Sequence, residues 1–521
     1  MINEGKKAVK TVSLIVFATA FSKVLGLMRD MLMAHLYGGS AQNAAFATAS
    51  RIPRDFFDIF LGAAVLGVFI PVYNSFDSGD ARGERQKDEF ANIFLNAVML
   101  ATGLLAGVGM IFSRQIIDLA TPGYDEATAE LAANLLRVLF PMIVFTGAVY
   151  TLTGILQSKG EFLAPALVSA ASNLGVIVYF LFLNGYFKIY GLGAAYLVSW
   201  IIQLLTLVVP LSRRKYKYRI LINFKNPAFI KSIKMSLPIM AGSWLVPFGM
   251  LIGQRFLSFS EFYINAFDYS TKLFLLATGI LTYSICNYIF PKLAQSAGDD
   301  AEFAKIVKNG LSAACFVIVP VACLAYALRG EAVAILFGHG KFKETAGLGA
   351  ETAEMFSMLA PAMAMFSAIE ILNRVFYSKN LAKYPMMASL LGIAANVALC
   401  FAFMTKLKLS PSYVALAAFL CQCAAAAVLV VALRAKIKGI FDKKFLANIL
   451  KIFSSSAILL IIVKILYYII GNSAFEAGIF KNAMVVGLIA AVGACFYIAA
   501  NMVFKTEETK VFLKMLKKDK G

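Results

Sequence analysis

Histidine is nearly missing from this chain. His35 and His339 are the only two in 521 residues, which excludes a histidine-based metal centre or proton relay. Cysteine is sparse and lacks metal-type spacing: Cys286, Cys315, Cys323, Cys400, Cys421, Cys423 and Cys495 all fall in apolar runs and read as small apolar residues. No cofactor and no metal site are therefore expected. Acid is short as well, with 29 Asp and Glu against 49 Lys and Arg, a formal charge of +20. The Walker pattern GxxxxGK[ST] does not occur, so Gly338-His339-Gly340-Lys341, in the segment from Arg329 to Ala350, is expected to be a turn or gate.

Apolar residues are abundant. They make up 60% of the chain, against about 45–50% in a soluble domain, and the mean hydropathy is +0.76. Runs of about 20 apolar residues predict roughly fourteen membrane spans, centred near Ala18, Leu61, Met99, Val144, Leu174, Val198, Leu245, Ala277, Phe316, Phe366, Ile393, Phe419, Ile461 and Ala490. These runs are continuous rather than alternating, so the spans are helical and the fold class is an all-α integral membrane protein. The apolar run after Lys6, Lys7 and Lys10 continues past Ala18-Thr19-Ala20 to about Leu36 with charges inside it, and is expected to be a retained span rather than a cleaved signal.

Net positive charge does not mean nucleic acid here, because Lys and Arg follow loop parity. Lys6, Lys7 and Lys10, then Arg82, Arg85 and Lys87, Arg213 to Arg219, Arg434 to Lys438, and Lys514 to Lys520 all fall on the side of the N-terminus. The opposite loops carry few cations, so both termini are expected in the cytoplasm and the number of spans is even. The segment 506–521 reads as a basic tail, a short helix on the inner leaflet.

The chain repeats itself at an offset of 220 residues. Pro71 matches Pro291, Pro141 matches Pro361, Ser158-Lys159 matches Ser378-Lys379 and Pro165 matches Pro385. Two pseudo-symmetric six-helix lobes are expected, 1–220 and 221–440, followed by two further helices over 441–505. Parallel repeats of this kind build transporters with a site near the bilayer midplane.

Charges sit inside the first two spans, where each costs about 2.5–3.5 kcal/mol at mid-bilayer. They are Lys23, Arg29, Asp30, Arg51, Arg54, Asp55 and Asp58. In an α-helix Arg51, Arg54, Asp55 and Asp58 form one polar stripe, and Pro53 can bend the span there. The second half adds the i,i+4 pairs Asp268/Lys272 and Glu370/Arg374. One reading is that paired charges hold or gate the lobes. The other is that Lys23, Arg29, Arg51, Arg54 and Lys272 bind an anion, with Asp30, Asp55, Asp58, Asp268, Glu370 and Arg374 as supporting ion pairs. Guanidinium groups suit phosphate oxygens. A lipid with an anionic headgroup needs such a path, since its acyl chain gains about 0.8 kcal/mol per CH₂ in hydrocarbon and only the headgroup resists crossing.

Phe21-Ser22-Lys23-Val24-Leu25-Gly26-Leu27-Met28-Arg29-Asp30, Tyr37-Gly38, Arg51-Ile52-Pro53, Tyr269 to Leu273, Ile289-Phe290-Pro291, Phe337 to Phe342 and Phe376-Tyr377-Ser378 carry a family resemblance. Over residues 9–504 the chain resembles the MurJ/MviN family within the multidrug/oligosaccharidyl-lipid/polysaccharide exporter superfamily. The resemblance implies fourteen helices and alternating access that moves undecaprenyl-diphosphate-linked disaccharide-peptide outward for peptidoglycan synthesis. It implies that Lys23, Arg29 and Lys272 face the diphosphate, that Asp30 orients Arg29, and that the last two spans hold the lipid tail. The chain departs from the family where an Arg-Arg pair and then a Glu often stand in the second span: it has Phe57-Asp58 and Gly62, and Arg54 is the candidate replacement. The acidic residues that form a sodium site in some members of the family have no clear counterpart in the seventh and eleventh spans, where Asn396 is the candidate polar remnant.

The expected function is therefore a lipid II flippase and not an enzyme, acting as a monomer on a lipid-linked anionic glycan among membrane lipids of the bacterial cytoplasmic membrane. Na⁺, H⁺ or the membrane potential stays open as its driving force. The alternatives are a flippase for another polyprenyl-diphosphate oligosaccharide and a cation-coupled multidrug exporter, the latter favouring carboxylates and aromatics over Lys and Arg. An integral-membrane glycosyltransferase needs a catalytic domain that the short outward loops do not offer.

Overall fold

In hydrocarbon every backbone N–H and C=O must find its partner inside the chain, and continuous apolar runs meet that demand as helices. The computed structural model describes residues 2–77, 80–437, 439–474 and 479–510, and every regular element among them is helical. The Asp55 side chain, those of Lys6, Lys7, Lys10 and Lys438, and the basic tail beyond 510 lie outside the described residues. Two compact units divide the chain, Met1–Phe262 and Tyr263–Gly521.

The first unit holds α1 (Ile2–Tyr37), α2 (Ala41–Asn74), α3 (Ala81–Ile111), α4 (Ser113–Ala120), α5 (Glu126–Ser158) and α6 (Leu163–Arg213), then α7 (Pro227–Gly242) and α8 (Leu245–Leu257). The second holds α9 (Glu261–Gln295), α10 (Asp300–Ala327), α11 (Arg329–Phe337), α12 (Gly340–Glu344), α13 (Leu348–Leu359), α14 (Ala362–Ser378), α15 (Lys383–Lys406), α16 (Tyr413–Lys436), α17 (Lys443–Ala474) and α18 (Ile479–Phe504). Ten described helices are long and apolar enough to cross a membrane, or twelve when the bent pairs α7/α8 (48°) and α13/α14 (45°) each count as one span, against about fourteen expected. Helix α1, 36 residues long, stands outside that count. Helix α6 enters it once, although its 51 residues reverse at Lys188, where φ is 48°; its two limbs pack against each other and the first packs against α1.

The two units share local chemistry at positions 220 residues apart. Pro141 and Pro361 cap helical stretches of 17 residues, Met142–Ser158 and Ala362–Ser378. These end at Lys159 and Lys379, and the next residue is left-handed in both, Gly160 at φ 74° and Asn380 at φ 56°. The Glu161 N–H bonds back to the Leu156 carbonyl and the Leu381 N–H to that of Phe376, both at 2.8 Å, closing the same helix-terminating loop. Lys159 then reaches Glu84 at 3.0 Å and Lys379 reaches Asp300 at 2.8 Å, each tying this turn to the start of the third span of its half. Because Asn tolerates the left-handed region and β-branched residues do not, Gly160→Asn should leave the unfolding midpoint nearly unchanged. Gly160→Val should lower stability by roughly 1–2 kcal/mol, measurable by thermal unfolding in detergent.

Helices α17 and α18 pack on α10 around Leu459, Val463, Ile489 and Tyr497, whose hydroxyl donates to the Phe316 carbonyl at 2.7 Å. A Cβ on Gly493 would lie 2.6 Å from Val463 Cγ2, so glycine is what lets these two helices meet.

Candidate functional site

Pro53 has no N–H to give and its ring crowds the carbonyl one turn back. The backbone of α2 answers with a π-helical stretch over Arg51–Phe56 in place of the α-helix that the polar stripe assumed. The wider turn separates its cations: Arg51 is buried, 2% exposed, while Arg54 is only half-buried. The side chain of Arg54 lies over the Tyr196 ring, its guanidinium carbon 5.9 Å from the centroid.

Arg29 approaches the same ring, at 5.6 Å. Its position is set from α1 and the first limb of α6, which come together at small residues. Ser22 Oγ donates to the Ala166 carbonyl at 3.1 Å, and a Cβ on Gly26 would lie 3.3 Å from Asn173 Nδ2. Asn173 is buried; it donates to the Ser22 carbonyl at 3.1 Å and accepts from Arg29 Nη1 at 2.9 Å. Arg29 Nε and Nη2 both donate to Asp30 Oδ1, at 3.2 and 3.0 Å. A guanidinium has five N–H bonds. Three are used, so two remain without a protein acceptor among the described residues, on a side chain that is 19% exposed.

Lys23 is exposed and interacts electrostatically with Asp58 and with Arg29. Lys23, Arg29, Arg54, Asp30 and Asp58 are thus coupled electrostatically, and the two arginines share the Tyr196 ring. Of the seven charges read inside the first two apolar runs, four are cations, Lys23, Arg29, Arg51 and Arg54, and three are acids, Asp30, Asp55 and Asp58, a surplus of one positive charge.

The second unit has neutral pairs of its own. Lys272 Nζ meets Asp268 at 2.6 Å and lies 5.0 Å from the Tyr269 ring. Tyr269 is fully buried against Phe337 and Phe342; only Gly338 and His339 break the helix, Gly340 and Lys341 open α12, and the flanking aromatics buttress the helix carrying Lys272. Arg374 meets Glu370 at 2.7 Å, also bonds the Glu370 carbonyl at 2.9 Å, and lies 5.7 Å from the Tyr283 ring. Asn396 is buried with Cys400 and Cys421 as its hydrogen-bond partners.

Asn173 and Tyr196 were not among the candidates read from the sequence, and both touch Arg29. The usable signal was an Asn inside an apolar span: such a group needs a partner in hydrocarbon, and a buried cation one or two helices away is the obvious one. Tyr196 gave no signal, because a single Tyr in an apolar run is ordinary.

The family described as "Lipid II flippase MurJ" matches residues 33–486. Among relatives, the "Probable lipid II flippase MurJ" of Thermotoga maritima is 24% identical over 507 residues, covering 95% of this chain and 96% of its own. That of Buchnera aphidicola subsp. Schizaphis graminum is 28% identical over 381 residues, 72% of this chain and 73% of its own. Among solved structures, "Lipid II flippase MurJ, inward closed conformation" has a TM-score of 0.76 at 22% identity, covering 94% of this chain and 99% of that one. An inward-facing multidrug resistance MATE family transporter of the MOP superfamily has a TM-score of 0.63 at 15% identity, covering 80% and 95%; both structural likenesses concern the fold.

Proposed function

Because the chain belongs to the lipid II flippase MurJ family, we propose that it flips the lipid-linked peptidoglycan precursor, an undecaprenyl-diphosphate disaccharide-peptide, from the inner to the outer leaflet. It is a transporter and not an enzyme, a multi-pass protein of the bacterial inner membrane working on a lipid-linked substrate. The observation that carries the reading is the pair of guanidiniums on one ring. Arg29 and Arg54 share Tyr196, and Arg29 keeps two N–H bonds for an incoming acceptor.

Two like charges near one ring are tolerated because the π face and the carboxylates Asp30 and Asp58 offset them when no anion is present. A diphosphate spreads its charge over two phosphoryl groups, and two planar donors set side by side match it better than one. Its arrival frees the carboxylates, so the site exchanges partners rather than trapping an anion. Lys272, paired with Asp268, is the candidate substrate-binding cation of the second unit. The helices over 441–505 are assigned to the polyprenyl tail, the termini to the cytoplasm, and the driving force to Na⁺, H⁺ or the membrane potential acting on a monomer.

Proteoliposomes carrying headgroup-labelled lipid II test this. The protein should raise the fraction of label reached by an impermeant quencher, and imposed Na⁺, pH or potential gradients should separate the driving forces. Transport of an uncharged amphiphile with no movement of the lipid diphosphate would refute the assignment.

A further inference from the structure

Between Glu161 and Glu261 the chain contains no acidic residue at all. Within that stretch, the connection from α6 to α7 concentrates Arg213, Arg214, Lys215, Lys217, Arg219 and Lys225, all exposed. The connection is not helical from 214 to 226, yet it is held in place. Asn96 Nδ2 donates to the carbonyls of Arg219 and Leu221 at 2.9 and 3.3 Å, and Asn92 Nδ2 donates to that of Lys217 at 3.1 Å. Asn92 Oδ1 accepts from the Arg219 N–H and the Tyr216 hydroxyl, both at 2.9 Å, and Asn96 Oδ1 from the Tyr218 hydroxyl at 2.7 Å. Six hydrogen bonds between the two asparagines and Tyr216, Lys217, Tyr218, Arg219 and Leu221 thus fasten an irregular strap to one face of α3.

The depth of that attachment is informative. Helix α3 has 31 residues, so at 1.5 Å each it is about 46 Å long and outruns a hydrocarbon core of about 30 Å. Its charged residues Arg82, Glu84, Arg85, Lys87, Asp88 and Glu89 come first and its apolar stretch starts at Phe90, so Asn92 and Asn96 stand at the rim of the apolar zone. Irregular backbone survives at that depth only when its polar groups are satisfied by protein, which is what the two asparagines do. The strap's cations therefore sit at headgroup level. Just beyond them Ile220, Ile222 and Phe224 are 78%, 56% and 50% exposed.

Opposing charge is scarce. Arg214 pairs with Glu161 at 3.1 Å, and Asp88 interacts with Lys217 and Arg219 but is also 4.0 Å from Lys159. Six cations against two carboxylates leave a strong surplus facing the membrane surface, with exposed aliphatic side chains at hand for acyl chains. We propose that the strap over residues 213–225 is a binding surface for anionic phospholipid of the surrounding leaflet, the phosphate held by Lys215, Lys217 and Arg219 and the upper acyl chain lying on Ile220 and Ile222. The proposal is independent of the cargo: this lipid is a resident partner that fixes the strap, and with it the connection between α6 and α7, to the membrane.

The test is native mass spectrometry of the full chain, delipidated in detergent and titrated with phosphatidylglycerol or phosphatidylcholine. Wild type should prefer phosphatidylglycerol. Lys215→Gln/Lys217→Gln/Arg219→Gln should weaken its tightest phosphatidylglycerol binding on the order of a hundredfold and leave phosphatidylcholine binding unchanged. Lys215→Arg/Lys217→Arg, which keeps the charges on exposed positions, should bind as wild type does. Equal binding of the two lipids by wild type, undiminished phosphatidylglycerol binding by the triple Gln variant, or displacement of the lipid by millimolar inorganic phosphate would each overturn it.

Discussion

Arg29→Ala should abolish flipping while leaving the protein in the membrane at its normal level. In the proposed site Arg29 offers the diphosphate two N–H bonds, and hydrogen bonds to charged groups contribute about 1.5–3 kcal/mol each. Losing about 3 kcal/mol or more lowers affinity by at least roughly a hundredfold, since about 1.4 kcal/mol is a factor of ten. The truncation also strips Asp30 of its partner, which leaves an uncompensated carboxylate beside the anion's path. Arg29→Lys keeps the charge but not the fork, and should retain partial activity. The ring is tested by contrast: Tyr196→Phe should support growth, whereas Tyr196→Leu removes the face that both guanidiniums use and should cost each about 0.5–2 kcal/mol. Growth of cells depleted of their own lipid II flippase, with immunoblots of the membrane fraction, is the measurement. Normal growth on Arg29→Ala would remove Arg29 from the site.

The second large effect concerns stability. Glu370→Leu should destabilise the protein by about 3–5 kcal/mol, because it leaves the Arg374 guanidinium without its carboxylate partner, with the backbone carbonyl of position 370 as its hydrogen-bond acceptor among the described residues. Glu370→Leu/Arg374→Met should recover most of that loss, since two apolar side chains of similar volume replace a pair whose desolvation offsets most of its attraction. Thermal unfolding of the four proteins of the cycle in one detergent gives the coupling directly. Transport by the stable double variant then separates the two roles of the pair. Normal flipping assigns Glu370 and Arg374 to packing, and loss of flipping despite restored stability places them in the transport path.

Much of this was legible in one dimension for a simple reason. In a bilayer a charge inside an apolar run is expensive at once, so Lys23, Arg29, Asp30, Arg54, Asp58, Asp268, Lys272, Glu370 and Arg374 stand out with no knowledge of their neighbours. Pairs four residues apart on one helix, Asp268/Lys272 and Glu370/Arg374, form as local geometry requires. The repeat was visible because its matched residues terminate helices, and helix ends obey local rules that Ser158-Lys159-Gly160 and Ser378-Lys379-Asn380 both follow. Less legible was the course of the second helix, where an assumed α-helical register placed Arg51 and Arg54 on one stripe and the π-helical turn at Pro53 gave them different exposure.

The sequence by itself determined the all-helical membrane fold, the family and the set of charges that must be explained, because apolar length, helix punctuation and intramembrane charge are properties of single segments. Only the tertiary structure decided which groups attend Arg29. Asn173 lies 144 residues away and Tyr196 farther still, and they reach it because Ser22 and Gly26 let two helices pack closely. The partners of a buried charge are chosen by helix packing, which no local pattern encodes.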